Sequence, residues 1–260
     1  SLKAKTTSVW MVLGRKAGID IYKEKLEVIP MFVGGQGPIE VDGECRTSVP
    51  GLWAAGDACA LGCGWSGAKS PGTVPAVSIS FAIVSGFIAG ESLVKREGER
   101  AFPAKVEEEE IKRAEEELFS PMSLKGGWQH RELIQRVHEA VVPMKYNFFR
   151  KKDRLEEALR LLQKVREDLG EAKADSPHDL AKLVETEGMV LSGILTYTAA
   201  LEREETRGTQ KREDFPQQDN DKWLKWIILQ QDPAGKPQVT CQDIPFPNFR
   251  FQPVVKPKTE

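Results

Sequence analysis

Only four cysteines occur in 260 residues: Cys45, Cys59, Cys63 and Cys241. They are too few and too scattered for a disulfide scaffold, so reduced thiols in a cytoplasmic setting are expected. Neither sign of charge dominates, since 37 Lys and Arg stand against 39 Asp and Glu. The charges are mixed along the chain and form no basic stripe, which argues against a nucleic-acid partner. A long apolar run is also missing. The most apolar stretch, residues 74–94, is interrupted by Pro75, by Ser78, Ser80 and Ser85, and by Gly86 and Gly90. It reads as a helix inside the protein and not as a membrane span. No signal peptide and no internal repeat is visible. The chain opens on Ser1 without a clear first element, and the expectation is a fragment or one chain of a split protein.

What is present divides by composition. Residues 26–43 read as short strands broken by Pro30, by Gly34, Gly35 and Gly37, and by a turn at Asp42-Gly43. "GLWAAGD", 51–57, reads as a buried strand stopping at Gly56. A helix is expected over 74–96, with Thr73 as N-cap and Pro75 in its first turn. Beyond residue 100 come four further helices. The first is acidic, within "VEEEEIKRAEEELF"; the second is "HRELIQRVHEAVV", ending near Pro143. The third carries Leu155, Leu159, Leu162 and Leu169 on one stripe, with Asp153 as cap and Gly170 as stop. The fourth starts near Ser176 or Asp179. Amphipathic helices with short links make an antiparallel bundle. "KWLKWIILQQ", a turn at Asp232 and "KPQVTCQDI" predict a hairpin, followed by a proline-rich tail.

Chemistry concentrates between residues 49 and 90. A strand that ends in Gly lets another molecule approach the backbone, and Asp57 offers a carboxylate there. The helix that follows presents free N–H groups and a positive dipole end. An acid beside a glycine-rich helix start is one way to hold a dinucleotide; the alternative is that Asp57 only caps a turn.

Three motifs carry a resemblance. "TSVPGLWAAGD" looks like the second flavin motif of the FAD-dependent oxidoreductases that include succinate dehydrogenase, fumarate reductase, L-aspartate oxidase and adenylylsulfate reductase. "GIDIYKEKLEVIPMFVGG" resembles that family's return from its capping domain to its FAD domain. "LEREETRGTQKREDFPQQDNDKWLKWIIL" resembles the segment written ESRGAHxRxDxPxxDDxxW. The resemblance implies an α+β fold: the C-terminal part of an FAD-binding α/β domain, then an antiparallel helical bundle and a short β-rich tail. Residues 1–20 would be a capping-domain remnant, 21–100 the end of the FAD domain, 101–215 the bundle and 216–260 the tail.

It also implies FAD as cofactor. Asp57 would bind the ribityl chain, and Ala55 and Gly56 would pack against the cofactor. Ala76, Val77, Ser78 and Ile79 would present the helix start to the flavin, and Gly34 and Gly35 a loop beside flavin and substrate. Ser66 and Lys69 are the residues suggested for substrate contact. No catalytic residue and no metal is assigned. The implied partners are an N-terminal FAD-binding half on the same or a separate chain, an iron–sulfur electron-transfer subunit and a small-molecule substrate, with a peripheral place at a membrane only through a partner. A non-catalytic docking or assembly module, or an adenylylsulfate reductase-like alpha subunit, is the alternative.

The pattern also departs from the family. Pro30 stands where dicarboxylate members place a His, Lys69 lies where "ANRLG" supplies an Arg, and Gln210 replaces the His of "RGAH". Lys does not reproduce the planar fork with which Arg grips a carboxylate, so the departures point away from succinate and fumarate. Other conspicuous residues take structural readings. Cys59 and Cys63 are expected to be small buried thiols. His130, His138 and His178 are read as surface or cap residues, and Trp53, Trp65 and Trp128 as core packing. Arg207 is expected to tie the bundle to the FAD domain through an ion pair.

Overall fold

A computed structural model describes residues 18, 20, 23, 39–59, 78–97, 107–208, 210–232, 235 and 237–244. By its contacts the chain divides into two units, Ser1–Gly35 and Gln36–Glu260, and every element named below belongs to the second. Gly34, Gly35, Ala76, Val77, Ser66 and Lys69 lie outside the described residues, as do Pro30, Cys63, Trp65, Thr73 and Pro75.

Seven helices and two strands are described: α1 Ser78–Glu97, α2 Glu108–Phe119, α3 His130–Val141, α4 Met144–Asn147, α5 Lys152–Leu169, α6 Pro177–Glu202, α7 Asn220–Trp223, β1 Lys225–Gln231 and β2 Pro237–Asp243. The core lies between α3, α5 and α6. Leu133, Val137 and Ala140 of α3, then Leu155, Ala158, Leu162 and Val165 of α5, recur at helical spacing and are buried. Val190, Ile194 and Tyr197 of α6 close the same core. Of the leucine stripe expected on α5, Leu155 and Leu162 are fully buried, while Leu159 and Leu169 pack at its edge.

The helix ends follow local chemistry. The Ser176 hydroxyl accepts the Asp179 N–H at 3.2 Å and so caps α6. Gln129 and Glu132 form a reciprocal cap on α3. The cap of α5 is Lys151, not Asp153, which sits inside the first turn where an acid favours the helix dipole. Gly170 is the C-cap. β1 and β2 pair antiparallel, Lys225 opposite Asp243 through Gln231 opposite Pro237. A lone hairpin is marginal in water; this one borders α6 and accepts a hydrogen bond from Arg203 Nη2 to the Lys225 carbonyl, 2.8 Å.

Two expectations are corrected. "GLWAAGD" is not a strand: Trp53 makes a single bridge with Arg46, and Gly56–Ala58 is a 3-10 turn. And among the described residues α1 is not enclosed. Its polar Ser85 and Ser92 are buried, while Ile79, Ile83, Phe87 and Val94 are exposed. The helix turns its serines to the loop that binds them and leaves its apolar stripe outward. Among the described residues no helix is long and apolar enough to cross a membrane.

Candidate functional site

The site is a short loop clamped to α1. Residues 39–59 hold together by backbone pairing: Ala54 N–H donates to the Cys45 carbonyl (3.0 Å), Thr47 N–H to Leu52 (3.0 Å) and Ile39 N–H to Ala58 (2.9 Å). Asp42 starts the turn, accepting from the N–H groups of Glu44 (2.9 Å) and Arg46 (3.0 Å) and from Arg46 Nε (2.6 Å). Burial opposes ionisation of Asp42, but these hydrogen bonds outweigh it and hold its carboxyl below the usual range.

Gly56 joins this loop to the helix. Its φ is +62°, in the left-handed region, and a Cβ there would meet Ala82 Cβ at 3.3 Å. Its N–H donates to Ser85 Oγ at 2.8 Å, and that hydroxyl donates in turn to the Phe81 carbonyl at 2.6 Å. Trp53 Nε1 adds a second clasp, donating to Ser92 Oγ at 3.1 Å. The loop is therefore fastened at two points to one face of α1, and the contact at Ala82 lies about one helical turn (~6 Å) from the described start of the helix.

The predicted residues fall around this clasp. Gly56 is buried and Ala55 half-buried, whereas Asp57 is exposed on the 3-10 turn. Ser78 begins α1, and Ile79 is exposed beside it. The sequence suggested that Gly56 admits a ligand to the backbone. Here the neighbour is Ala82 of α1, so the glycine serves loop–helix packing. Cys45 and Cys59 are buried: Cys45 Sγ donates to the Ser85 carbonyl (3.5 Å) and Cys59 Sγ to the Gly56 carbonyl (3.4 Å). Burial, with Cys59 and Asp42 nearby, pushes the Cys45 thiol up, which favours its protonated form.

A second polar cluster, unforeseen apart from Arg207, seals the end of α6. Fully buried Glu205 accepts from Arg203 Nη1 (2.7 Å), from Arg207 Nε (2.6 Å) and Nη2 (3.0 Å), and from the Asp219 N–H (2.8 Å). Arg207 Nη2 also reaches Asn220 Oδ1 at 2.8 Å. Arg207 thus ties the end of α6 to the start of α7, in place of the expected link to the FAD domain. Arg212 Nη1 donates to the carbonyls of Ala200 (2.7 Å), Leu201 (3.1 Å) and Arg203 (3.1 Å). Those carbonyls would otherwise be orphaned at the helix end. Gln210 Nε2 donates to Ala200 (3.1 Å), and its Oε1 accepts from half-buried Arg150. The motif "ETRGTQKRED" was the signal for this cluster, but its pairings are not legible from residue order. Burial pushes the Tyr197 hydroxyl up to about 12; it donates to the Ala140 carbonyl at 3.0 Å.

The remaining expectations separate. His130, read as a surface or cap residue, is buried at the first position of α3, with Nδ1 3.4 Å from Asp179 Oδ1. Trp53 and Trp128 are half-buried, and Arg136 stacks over the Trp128 ring at 5.0 Å. Among the described residues no cluster of His, Cys, Asp and Glu has metal-binding geometry.

Residues 136–258 match the family model described as fumarate reductase flavoprotein C-term. Over most of its length the chain is similar to flavoprotein subunits of succinate dehydrogenase and fumarate reductase. An uncharacterized FAD-dependent oxidoreductase of Methanocaldococcus jannaschii is 29% identical over 214 residues, 82% of this chain and 38% of its own length. The mitochondrial succinate dehydrogenase (ubiquinone) flavoprotein subunit of Oryza sativa subsp. japonica is 27% identical over 227 residues, 80% of this chain and 35% of its own. The fold matches that of FrdA of E. coli quinol fumarate reductase with a TM-score of 0.74 at 21% identity, covering 95% of this chain and 42% of that one. The chain thus spans well under half the length of the proteins it matches.

Proposed function

We propose that this chain is the C-terminal part of an FAD-dependent oxidoreductase, in which residues 21–100 complete an FAD-binding domain, 101–215 form its helical domain and 216–260 its tail. The observation that carries this reading is the clasp: exposed Asp57 follows a left-handed Gly56 that is locked to Ser85 of α1. The donor set fits the cofactor. An exposed carboxylate suits a ribityl hydroxyl, and the free N–H groups of a helix start suit the electron-rich pyrimidine edge of a flavin. FAD, when bound, supplies two-electron transfer.

What this chain's residues do is positional. Asp57 holds the ribityl chain, Ser78 and Ile79 offer backbone N–H groups, and the Gly56–Ser85 clasp fixes the loop relative to the helix. Ala55 packs against the cofactor in this reading. The N-terminal FAD-binding half, on the same or a separate chain, covers the apolar stripe of α1. An iron–sulfur protein delivers or removes the electrons.

Replacing Asp57 with Ala in the complete protein tests the assignment. Flavin content per protein is expected to fall at least about tenfold, the weight of one lost charge-assisted contact of ~1.5–3 kcal/mol. An unchanged flavin content would leave the docking or assembly reading in its place.

A further inference from the structure

Among the described residues α2 is an amphipathic helix without a partner element across its apolar line. None of its 12 residues is buried, and its main neighbour among the described elements is the Ser120–Ser123 turn that follows it. Ile111 and Leu118 are 47% and 46% exposed, and Phe119 and Met122 beyond them are exposed as well. A helix this short is marginal in water by itself and depends on packing.

The charges around that stripe are ordered. At about 100° per residue, Ile111, Ala114 and Leu118 form one narrow line. Glu108 and Glu115 flank it on one side, and Glu110 and Glu117 on the other. Lys112 and Arg113 project from the far side. In heptad terms Ile111 and Leu118 are a positions, Ala114 is d, and every e and g position is glutamate. A shallow hollow runs along the line, walled by Glu110, Ile111, Ala114, Glu115 and Leu118. Residues 107–119 carry seven glutamates against Lys112 and Arg113, a net charge of −5.

We infer that α2 docks a cationic amphipathic helix of a partner protein, apolar at a and d and carrying Lys or Arg at e and g. Charge selects that occupant. A second copy would set glutamate against glutamate along both flanks, and like charges at e and g oppose pairing. An anionic lipid surface is repelled by the same residues. A helix with basic flanks satisfies both the apolar line and the four glutamates. The small Ala114 at d lets the two backbones approach. This inference rests only on α2 and is independent of the flavin reading.

Two synthetic peptides of about 21 residues test it, both with Leu at a and d, one with Lys and one with Glu at e and g. Fluorescence anisotropy against the full chain should show the Lys peptide binding and the Glu peptide binding at least about tenfold more weakly. The charge-neutral double variant I111S/L118S should lose about tenfold in affinity for the Lys peptide, with its circular dichroism unchanged. Converting Glu108, Glu110, Glu115 and Glu117 to Lys should reverse the preference between the peptides. Three results would overturn the proposal: affinity for the Lys peptide unaffected by I111S/L118S, equal binding of both peptides, or self-association of the chain that Leu118→Ser abolishes.

Discussion

Asp214 shows how one residue couples its own loop to the start of α5. Arg212 donates to its carboxylate through Nε at 2.8 Å and Nη2 at 2.9 Å, and the Lys152 N–H donates from the start of α5 at 2.9 Å. The Arg212 hydrogen bonds outweigh burial and lower its pKa to about 2. An unfolded aspartate titrates near ~3.9. Because the folded value is the lower one, the stabilisation is full above that unfolded pKa and fades as pH falls through about 2. Asp214→Asn should therefore lower the urea midpoint at pH ~6, and the gap from the parent should narrow by pH ~3. A gap independent of pH would show that the ion pair is not its source. The Asp57→Ala experiment belongs to this scale too, since it removes one exposed carboxylate and leaves the Gly56–Ser85 clasp intact. Asp57 stood out in the sequence because its motif is local, and its role toward a flavin is the proposal that the experiment tests. The partners of Glu205 were not legible, because a buried carboxylate takes whatever donors the chain brings around it.

At the scale of elements, α6 carries two glycines with opposite fates. Gly188 is exposed, and a Cβ there meets nothing within 4 Å. Gly193 faces α5, where a Cβ would stand 2.7 Å from Leu162 Cδ1. Leu162 is fully buried and has little room to yield. Gly188→Ala should raise stability by ~0.5–1 kcal/mol through helix propensity. Gly193→Ala gains the same propensity but overpacks the core at a cost of ~1–3 kcal/mol, so its net effect should be a loss. Thermal unfolding of the two variants checks the signs, and a matching gain in both would mean the α5–α6 contact is looser than described. The elements of the bundle were legible because their apolar residues recur at a 3.6-residue period, and α6 also opens on a Ser176 cap. "GLWAAGD" was misread as a strand because a short apolar run says nothing about whether a neighbouring strand exists to pair with it.

For the whole molecule, the informative surface is the outward stripe of α1. Ile79 is 79% exposed, Phe87 69% and Val94 70%, while Ser85 and Ser92 face inward. Solvent is an unfavourable neighbour for a stripe of that kind. In the proposed complete flavoprotein this face meets the N-terminal FAD-binding half. Phe87→Glu should then leave the melting temperature of the 260-residue chain nearly unchanged, within the ~0.5 kcal/mol usual for surface changes. In the complete protein it should lower both melting temperature and flavin content. An equal response in the two would mean the stripe has no such cover.

The amino-acid order alone determined the helices of the bundle, the hairpin, the Ser176 cap and the motifs that mark the flavoprotein family. All of these rest on interactions between residues close along the chain, or on patterns that repeat at fixed spacing. The tertiary structure alone decided which face of α1 is inward, that Gly56 is reserved for Ala82 and Ser85, and that Glu205 gathers Arg203 and Arg207. Those outcomes depend on contacts between groups far apart in sequence. Hydrogen-bond geometry and the desolvation of buried charge select among pairings that composition leaves equal.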